Sequence, residues 1–280
     1  MIISVLAENT ACNPNGKRVR AEHGLSLYIE TNGQKILFDT GQSDLFAQNA
    51  QKMGIDLSEV DYLFISHGHL DHGGGLKHFL EANSDARIFL HKKAAGKFYT
   101  KLLGFIPYYV GLNQKVIRQS HDRIEFIEED TAVSDTVQII TGFSREFPLP
   151  SGNASLFEKQ DKRFIRDEFQ HEIVLILKEG SASVVFTACS HSGIVNMVKR
   201  ATEVVGEGNV KAVFGGFHTY NPVSRRNESK EYLERLTSEI EEYDSVFYTG
   251  HCTGLANFSL LKRGLGAKIQ SMNCGEVIEI

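Results

Sequence analysis

The chain of 280 residues has a net charge of −5 and is 41% hydrophobic, which predicts one large domain with a sizeable core. Acidic and basic residues are interspersed and no apolar run approaches the length of a membrane span, so the composition argues against nucleic-acid and membrane binding. The chain starts without the basic leader of a signal peptide. Its four cysteines are widely spaced with no Cys-x-x-Cys pair, and we therefore expect a reduced, cytoplasmic protein.

The first third of the chain predicts strands and helices in alternation. Asn32-Gly33 is a hairpin signal between two apolar segments. Ser43 or Asp44 can cap a helix that ends at Gly54. The predicted strands cover residues 2–7, 25–30, 35–41, 61–66 and 87–91, and the predicted helices cover residues 44–53 and 76–81. This order is typical of a layered domain in which strands and helices alternate.

A polar segment joins the first two predicted strands. It holds a turn signal at residues 13–16, followed by the basic residues Lys17, Arg18 and Arg20. The cluster is either an ordinary solvated loop or a loop at the mouth of a site that attracts an anionic substrate. We name His23, shortly after the cluster, as a candidate substrate-binding residue.

The strand at 61–66 runs into four residues that can bind a metal ion within six positions. If the backbone stays extended, His67 and His69 point to the same side and can hold one ion together. Asp71 and His72 are adjacent and can serve a second ion. Imidazole and carboxylate suit zinc, iron, manganese or nickel, so we expect one or two divalent ions, with zinc as the first choice.

From residue 92 to about residue 168 the pattern weakens. Residues 94–100 are a candidate helix, and residues 123–128 and 136–141 are candidate strands. The segment is either a surface elaboration or a cap that shapes a substrate pocket, because long functional loops commonly cover active sites. We interpret it as a cap on a single domain of residues 1–280, with Tyr108 and Tyr109 as candidate substrate contacts.

The second half repeats one arrangement three times, with a hydrophobic strand, a short loop with histidine, and a helix. The histidines are His191, His218 and His251. Sites in α/β sheets gather at such strand ends. One such histidine alone would more often be structural, but three in matching positions beside the earlier motif predict a functional role for at least two of them. The predicted strands cover residues 173–177, 183–187, 210–216, 245–249 and 275–280, and the predicted helices cover residues 194–205 and 228–242, with one more after residue 254.

The pattern His-x-His-x-Asp-His after a hydrophobic strand resembles the signature of the metallo-β-lactamase superfamily. This resemblance spans nearly the whole chain and implies an α+β fold, a four-layer αβ/βα sandwich with mixed sheets and a two-metal site between the sheets. It implies that Asp39, in a strand-Asp-Thr-Gly context, orients a ligating histidine, although a helix cap is the other interpretation. The metal ligands that carry over are His67, His69, Asp71, His72 and His251.

Further segments resemble the branch that includes the dihydropterin–ribofuranosyl-aminobenzene-phosphate synthases. They are Ala-Glu-His-Gly at 21–24, Ala-Cys-Ser-His-Ser-Gly at 188–193, Gly-Gly-Phe-His at 215–218 and Gly-His-Cys-Thr-Gly at 250–254. The chain also departs from the superfamily, because Cys189 stands where a bridging aspartate is usual and a proline-glycine-histidine motif is missing. We expect His191 to supply the missing ligand, with His171 as the weaker candidate. Cys189 is either a metal ligand or a buried thiol.

These observations predict a metal-dependent hydrolase that acts on a small anionic molecule, a phosphoester. A pterin-like substrate rests on the resemblance alone. Asp71 would bind metal and accept a proton from water, and His218 would contact the substrate or the transition state. The alternatives are a di-iron oxidoreductase centre on the same scaffold and a metal-binding sensor without turnover. The oligomeric state stays open.

Overall fold

The computed structural model describes residues 1–13, 16 and 18–280. Part of the predicted turn at 13–16 and the basic residue Lys17 lie outside the described residues. In chain order the strands are β1 (Ile2–Ala7), β2 (Ser26–Thr31), β3 (Gln34–Phe38), β4 (Tyr62–Ile65), β5 (Arg87–His91), β6 (Phe98–Leu102), β7 (Ile106–Tyr109), β8 (Ile124–Ile127), β9 (Thr131–Ala132), β10 (Val137–Ile140), β11 (Leu156–Gln160), β12 (Arg163–Arg166), β13 (Val174–Glu179), β14 (Ala182–Ala188), β15 (Val210–Gly215), β16 (Tyr220–Asn221), β17 (Arg226–Asn227), β18 (Val246–Thr249), β19 (Ile269–Ser271) and β20 (Val277–Glu279).

The helices predicted at 44–53, 76–81, 194–205 and 228–242 begin and end close to the predicted bounds, whereas those at 70–73 and 114–119 were not predicted. Gly54 ends the first of them in the left-handed conformation with φ of 79°, as a glycine cap requires. The helices are α1 (Leu45–Met53), α2 (Leu70–Gly73), α3 (Leu76–Ala82), α4 (Gln114–Gln119), α5 (Ile194–Val205), α6 (Lys230–Glu241) and α7 (Leu255–Leu265). In the described part of the chain, no helix combines the length and the apolar character needed to cross a membrane.

Two mixed sheets form the centre of the molecule. The strand order is β20-β1-β2-β3-β4-β5-β8 in one sheet and β19-β18-β15-β14-β13-β10-β9 in the other. In both, antiparallel neighbours on one side give way to parallel neighbours on the other, with β3-β4-β5-β8 parallel in the first sheet and β14-β15-β18-β19 parallel in the second. The predicted mixed sheets are therefore confirmed.

Three buried clusters define four layers. One lies between the sheets, where Phe38 and Phe64 of the first sheet pack toward Phe186 and Phe214 of the second. A second cluster packs α1 and α3 on the outer face of the first sheet. The third packs α5, α6 and α7 on the outer face of the second. This helix–sheet–sheet–helix arrangement is the predicted four-layer sandwich, and burial of each apolar face accounts for it.

A separate antiparallel sheet, with the order β12-β11-β6-β7, lies within the segment predicted as a cap. The predicted helix at 94–100 is wrong, because only a short turn at Lys92–Ala95 is helical and strand β6 follows it. Gly96 ends that turn, and the aromatic and β-branched residues of β6 favour a strand that pairs with β7 and β11. The same segment also contributes β8, β9 and β10 to the two central sheets.

The core between the sheets should carry much of the stability of the fold. We expect Phe64→Ala to lower the free energy of unfolding by about 3–5 kcal/mol, because Phe64 is fully buried and stacks on Phe89 at 5.0 Å between ring centroids. The matched control is Phe105→Ala, which removes a ring that is 71% exposed and should change stability by less than about 0.5 kcal/mol. Urea unfolding measures both, and equal losses would contradict this account of the core.

Candidate metal centre

The histidine motif starts where strand β4 ends, and a buried carboxylate orients two of its side chains. Asp39 follows strand β3, and its Oδ2 accepts hydrogen bonds from His72 Nδ1 at 2.7 Å and Ser66 Oγ at 2.8 Å. Ser66 Oγ in turn lies 2.8 Å from His67 Nδ1. Since the hydroxyl proton goes to the carboxylate, Oγ accepts the proton of His67 Nδ1. Both imidazoles therefore carry their proton on Nδ1 and keep the Nε2 lone pair for another partner.

Two histidines of the second half, His191 and His251, are each held in the same way by one asparagine side chain. The amide of Asn153 accepts from His191 Nδ1 at 3.0 Å and donates to the main-chain carbonyl of His191 at 2.8 Å. Asn9 makes the same two bonds to His251, at 2.9 and 3.2 Å. Because each amide oxygen can only accept, these imidazoles also keep their proton on Nδ1 and present Nε2 as an acceptor.

Two buried glutamates hold the backbone at these histidines. Glu172 accepts from the main-chain N–H groups of His191 and Ser192 at 2.8 and 2.7 Å. Glu8 accepts from the main-chain N–H of His251. The histidine loops are thus held by their main chains as well as by their rings, which reduces the freedom of each imidazole. A site that binds metal needs this kind of support behind its ligands.

Four imidazoles have a buried Nε2 without a hydrogen-bond partner among the described residues, and His218 is one of them. The other three belong to His67, His69 and His191, whose ring centroids lie 4.7 to 5.1 Å apart. Burial, followed by the neighbouring histidines, lowers the pKa of His67 and His191, and burial also lowers the pKa of His69. These rings are neutral at pH 7, as metal ligands must be. Orphaned lone pairs this deep in a protein call for a partner, and a cation fits.

Asp71 is the centre of a second group. Its Oδ2 lies 3.3 Å from Nε2 of both His251 and His23, and 3.8 Å from His72 Nε2. Burial would raise the pKa of Asp71, but the facing histidines hold it well below its usual range. Burial likewise opposes protonation of His72 and His251, yet nearby negative charges raise the pKa of both. A group of bases crowded around one carboxylate is suited to a divalent ion.

Cys189 lies between these two groups at the end of strand β14. Its Sγ is buried and 3.1 Å from His72 Nε2. In the described chain, the donor sets whose atoms lie within 4.8 Å of one another are Asp71–His72–Cys189–His251, His67–Cys189–His191, Cys189–His218–Cys252 and His69–Asp167–His171. The sulfur therefore belongs to three of the four sets. Of the two interpretations of Cys189, a metal-facing thiol agrees better with this position than a thiol that only packs.

His171 has other partners. Its Nδ1 accepts from the main-chain N–H of Gly68 at 3.1 Å, and its Nε2 donates to Asp167 Oδ2 at 3.0 Å. Asp167 Oδ2 is also 3.7 Å from His69 Nε2. With both nitrogens engaged, His171 orients the loop of the histidine motif and is a poor candidate for the missing ligand. His191 is the better one.

A cavity of about 290 Å³ opens above these residues. His23, His218 and Tyr108 line it, and Tyr108 is 53% exposed. Tyr109 does not line it, because its hydroxyl donates to the carbonyl of Leu112 at 2.6 Å and turns the ring away. The predicted substrate contact thus has a structural basis for Tyr108 and none for Tyr109.

The cavity lining contains no lysine or arginine among the described residues. Arg20 donates to Gln48 Oε1 at 2.6 Å, and the carbonyl of Arg18 accepts from Lys52. Both residues therefore contact helix α1, and neither lines the cavity. The loop predicted to attract an anion does not do so through these two residues. An anionic group in the cavity would meet histidines and any bound cation instead.

Several supporting residues have no signal in the sequence. Asn9 and Glu8 lie outside helices and strands and Asn153 lies in a short 3-10 helix, and nothing in their spacing connects them to a histidine more than 35 residues away along the chain. Cys252 does have a signal, since it follows His251 within Gly-His-Cys-Thr-Gly. That motif could have identified it as a further donor.

Comparisons with known proteins agree with this geometry. The profile of the metallo-beta-lactamase superfamily matches residues 19–243. Uncharacterized protein MJ0448 of Methanocaldococcus jannaschii is 30% identical over 267 residues, which cover 94% of this chain and 94% of that protein. A 7,8-dihydropterin-6-methyl-4-(beta-D-ribofuranosyl)-aminobenzene-5'-phosphate synthase of the same organism is 26% identical over 279 residues, which cover 92% of this chain and 90% of the synthase.

Among solved structures, Tm1679 is described as a metal-dependent hydrolase of the beta-lactamase superfamily. It matches this chain with a TM-score of 0.81 and 29% identity, and the match covers 100% of this chain and 99% of that one. The two facing mixed sheets, the histidine motif after β4 and the match to the family profile lead to one conclusion. The chain belongs to the metallo-β-lactamase superfamily.

Proposed function

We propose that this protein is a metal-dependent hydrolase that cleaves a phosphoester of a small molecule carrying an apolar ring. The observation that carries the proposal is a set of four histidines, each with Nδ1 bound to an oxygen atom and Nε2 directed away from that bond. They are His67, His72, His191 and His251. Histidine ligands of metal sites commonly have this arrangement, in which the other ring nitrogen donates to an oxygen.

The residues fit two divalent ions with zinc as the preferred metal. His67, His69 and His191 would hold one ion, and Asp71, His72 and His251 the other, with the sulfur of Cys189 within reach of both. Imidazole and thiolate donors favour zinc over magnesium or calcium. When bound, such ions activate water at neutral pH and polarise the bond to be cleaved.

The chain's own residues supply the proton transfers. The Asp71 carboxylate, which lines the cavity among the facing histidines, accepts a proton from the attacking water. His23 Nε2 lies 3.3 Å from Asp71 Oδ2, and the His23 side chain is 39% exposed. His23 can therefore pass the proton from Asp71 to solvent. His218 donates an N–H to the substrate phosphate, because its buried ring faces the cavity without a protein partner. Water adds at phosphorus as the bond from phosphorus to the ester oxygen breaks, and the ester oxygen takes up a proton from solvent and leaves as an alcohol.

The substrate class rests on the shape of the cavity and on one relative. A volume of about 290 Å³ suits a small molecule, and an apolar wall is formed by Leu70, Leu102, Val110, Leu156 and Val223. The similar archaeal synthase is named for a pterin and an aminobenzene ribose phosphate. These features support a substrate with a planar ring and a phosphate ester.

The proposal is tested first by turnover. Metal-replete protein should release alcohol and phosphate from members of a panel of aryl and alkyl phosphoesters. Asp71→Asn should reduce kcat by about 10²- to 10⁴-fold, because it removes the proton acceptor and a charged ligand. Asp122→Asn, at an exposed carboxylate far from the cavity, is the control and should retain full activity. If no phosphoester is cleaved by the metal-loaded protein, the proposal is wrong.

A second prediction concerns the buried carboxylate behind the histidines. Asp39→Asn should fold but bind zinc about 10- to 100-fold more weakly, because a neutral amide oxygen is a weaker acceptor than a carboxylate for Ser66 Oγ and His72 Nδ1, and the amide NH₂ would replace the oxygen that accepts the main-chain N–H of Ser66. Zinc titration against a chelator of known affinity measures the change. Asp44→Asn serves as the control at the start of α1, and unchanged zinc affinity in Asp39→Asn would mean that Asp39 only supports the loop.

A third prediction concerns the cap. Tyr108→Ala should raise KM for an aryl phosphoester about three- to tenfold with little change in kcat, because the ring lines the cavity but supplies no donor to the proposed metal sites. Phe105→Ala alters the same hairpin outside the cavity lining and should leave KM unchanged. Equal kinetic effects of the two variants would argue against a substrate contact at Tyr108.

A further inference from the structure

A third group of donors lies at the ends of three neighbouring parallel strands. Cys189 follows β14, His218 follows β15 and Cys252 follows β18. One donor atom of each lies within 4.8 Å of the others, and all three side chains are buried. None of the three belongs to the histidine motif, and of the three only Cys189 also belongs to donor sets that include residues of that motif.

His218 provides an independent sign that a ligand belongs here. Its side chain is 93% buried, and neither Nδ1 nor Nε2 has a hydrogen-bond partner among the described residues. A buried imidazole in its neutral form has one N–H to donate and one lone pair to share. A substrate oxygen can take the N–H, but the lone pair still needs a partner on the other side of the ring. A cation between His218 and the two cysteines provides it.

The two loops that carry these donors are joined in a fixed geometry. Thr253 Oγ1 accepts from the main-chain N–H of Phe217 at 2.9 Å, and the carbonyl of Thr253 accepts from Thr219 Oγ1 at 2.8 Å. At Gly216 a side chain would be excluded, because a Cβ atom there would lie only 2.4 Å from Cys252 Sγ. These contacts on both sides of His218 and Cys252 hold the two residues close without a ligand, as a preformed site requires.

We propose that Cys189, His218 and Cys252 form a binding site for one soft divalent cation such as Zn²⁺ or Cd²⁺. Two thiolates and one imidazole are a known zinc ligand set that leaves the fourth position open. Hard cations such as Mg²⁺ and Ca²⁺ prefer oxygen donors and are excluded by this set. Cys189 also belongs to two other donor sets, so an ion held here shares the Cys189 sulfur with an ion in either of those sets. Binding of one ion therefore changes the affinity of the neighbouring set for its ion.

The proposal predicts two thiolate–metal bonds per chain, and this is directly measurable. Apo protein titrated with Co²⁺ or Cd²⁺ should develop a thiolate-to-metal charge-transfer band. Cys252→Ser should lose about half of that band, and His218→Asn should bind the ion at least about tenfold more weakly. The matched control is Cys274→Ser, since Cys274 is equally buried but bonds to the carbonyls of Leu6 and Arg20 away from the site. That variant should retain the full band.

A second measurement needs no variant and so does not depend on whether Cys252→Ser folds. X-ray absorption of the zinc-loaded wild-type protein should contain sulfur neighbours at about 2.3 Å from two cysteines per chain. An undiminished band in folded Cys252→Ser, or zinc with one sulfur neighbour or none per chain, would overturn the proposal. Neither readout depends on turnover. If no phosphoester is cleaved, the proposed cation site is unaffected, and if the cation site is refuted, the hydrolase proposal is unaffected.

Discussion

The buried carboxylate of Asp39 is the constraint on which the site depends. An imidazole can present a lone pair to a metal ion only when its proton is held on the other nitrogen. One oxygen of Asp39 does this for His72 directly and for His67 through Ser66. Its other oxygen accepts the main-chain N–H of Ser66 at 2.8 Å, so the same group also fixes the point where strand β4 turns into the histidine loop.

The strand ends around the site adopt a backbone conformation that side chains other than glycine rarely take. Asp39, Ala188, Ser190, His218 and His251 all have φ between 47° and 63°. Such residues cost about 1–3 kcal/mol each and persist only where their surroundings hold them. Here the hydrogen bonds of Asn and Glu side chains to the histidine loops supply that support. The sharp turns direct side chains from both sheets into the same space, which extended strand ends would not do.

The cap and the site are physically continuous. Leu70, inside the histidine motif, donates its main-chain N–H to the carbonyl of Val110 at 2.7 Å, just after β7. Phe98 of β6 packs so closely on Gly68 that any Cβ there would lie 2.3 Å from its ring. The apolar wall of the cavity therefore stands at a fixed distance from the proposed ligands. Selectivity for the ring of a substrate and placement of its phosphate near the ions would follow from the same contacts.

The sequence by itself determined most of the helices and strands, because hydrophobic periodicity and glycine signals are local, while the four-layer sandwich was implied by the resemblance that the histidine motif carries. The hairpin at Asn32-Gly33 and helix α5 at 194–205 were predicted from their local sequence alone. It also determined the histidine motif and the three later histidines, since each lies beside a hydrophobic strand. The cap strands were missed, and β6 was predicted as a helix, because one of its two pairing partners, β11, lies far along the chain.

Only the tertiary structure decided how the donors are grouped and what holds them. Asn9 and His251 are 242 residues apart, and Asn153 and His191 are 38 apart, so no spacing rule links them. The same is true of Cys189 and Cys252, which meet because parallel strands β14, β15 and β18 end at one edge of a sheet. Residue type and strand position can be predicted from the local sequence. The direction of each histidine lone pair depends on contacts that exist only after the two sheets have packed together.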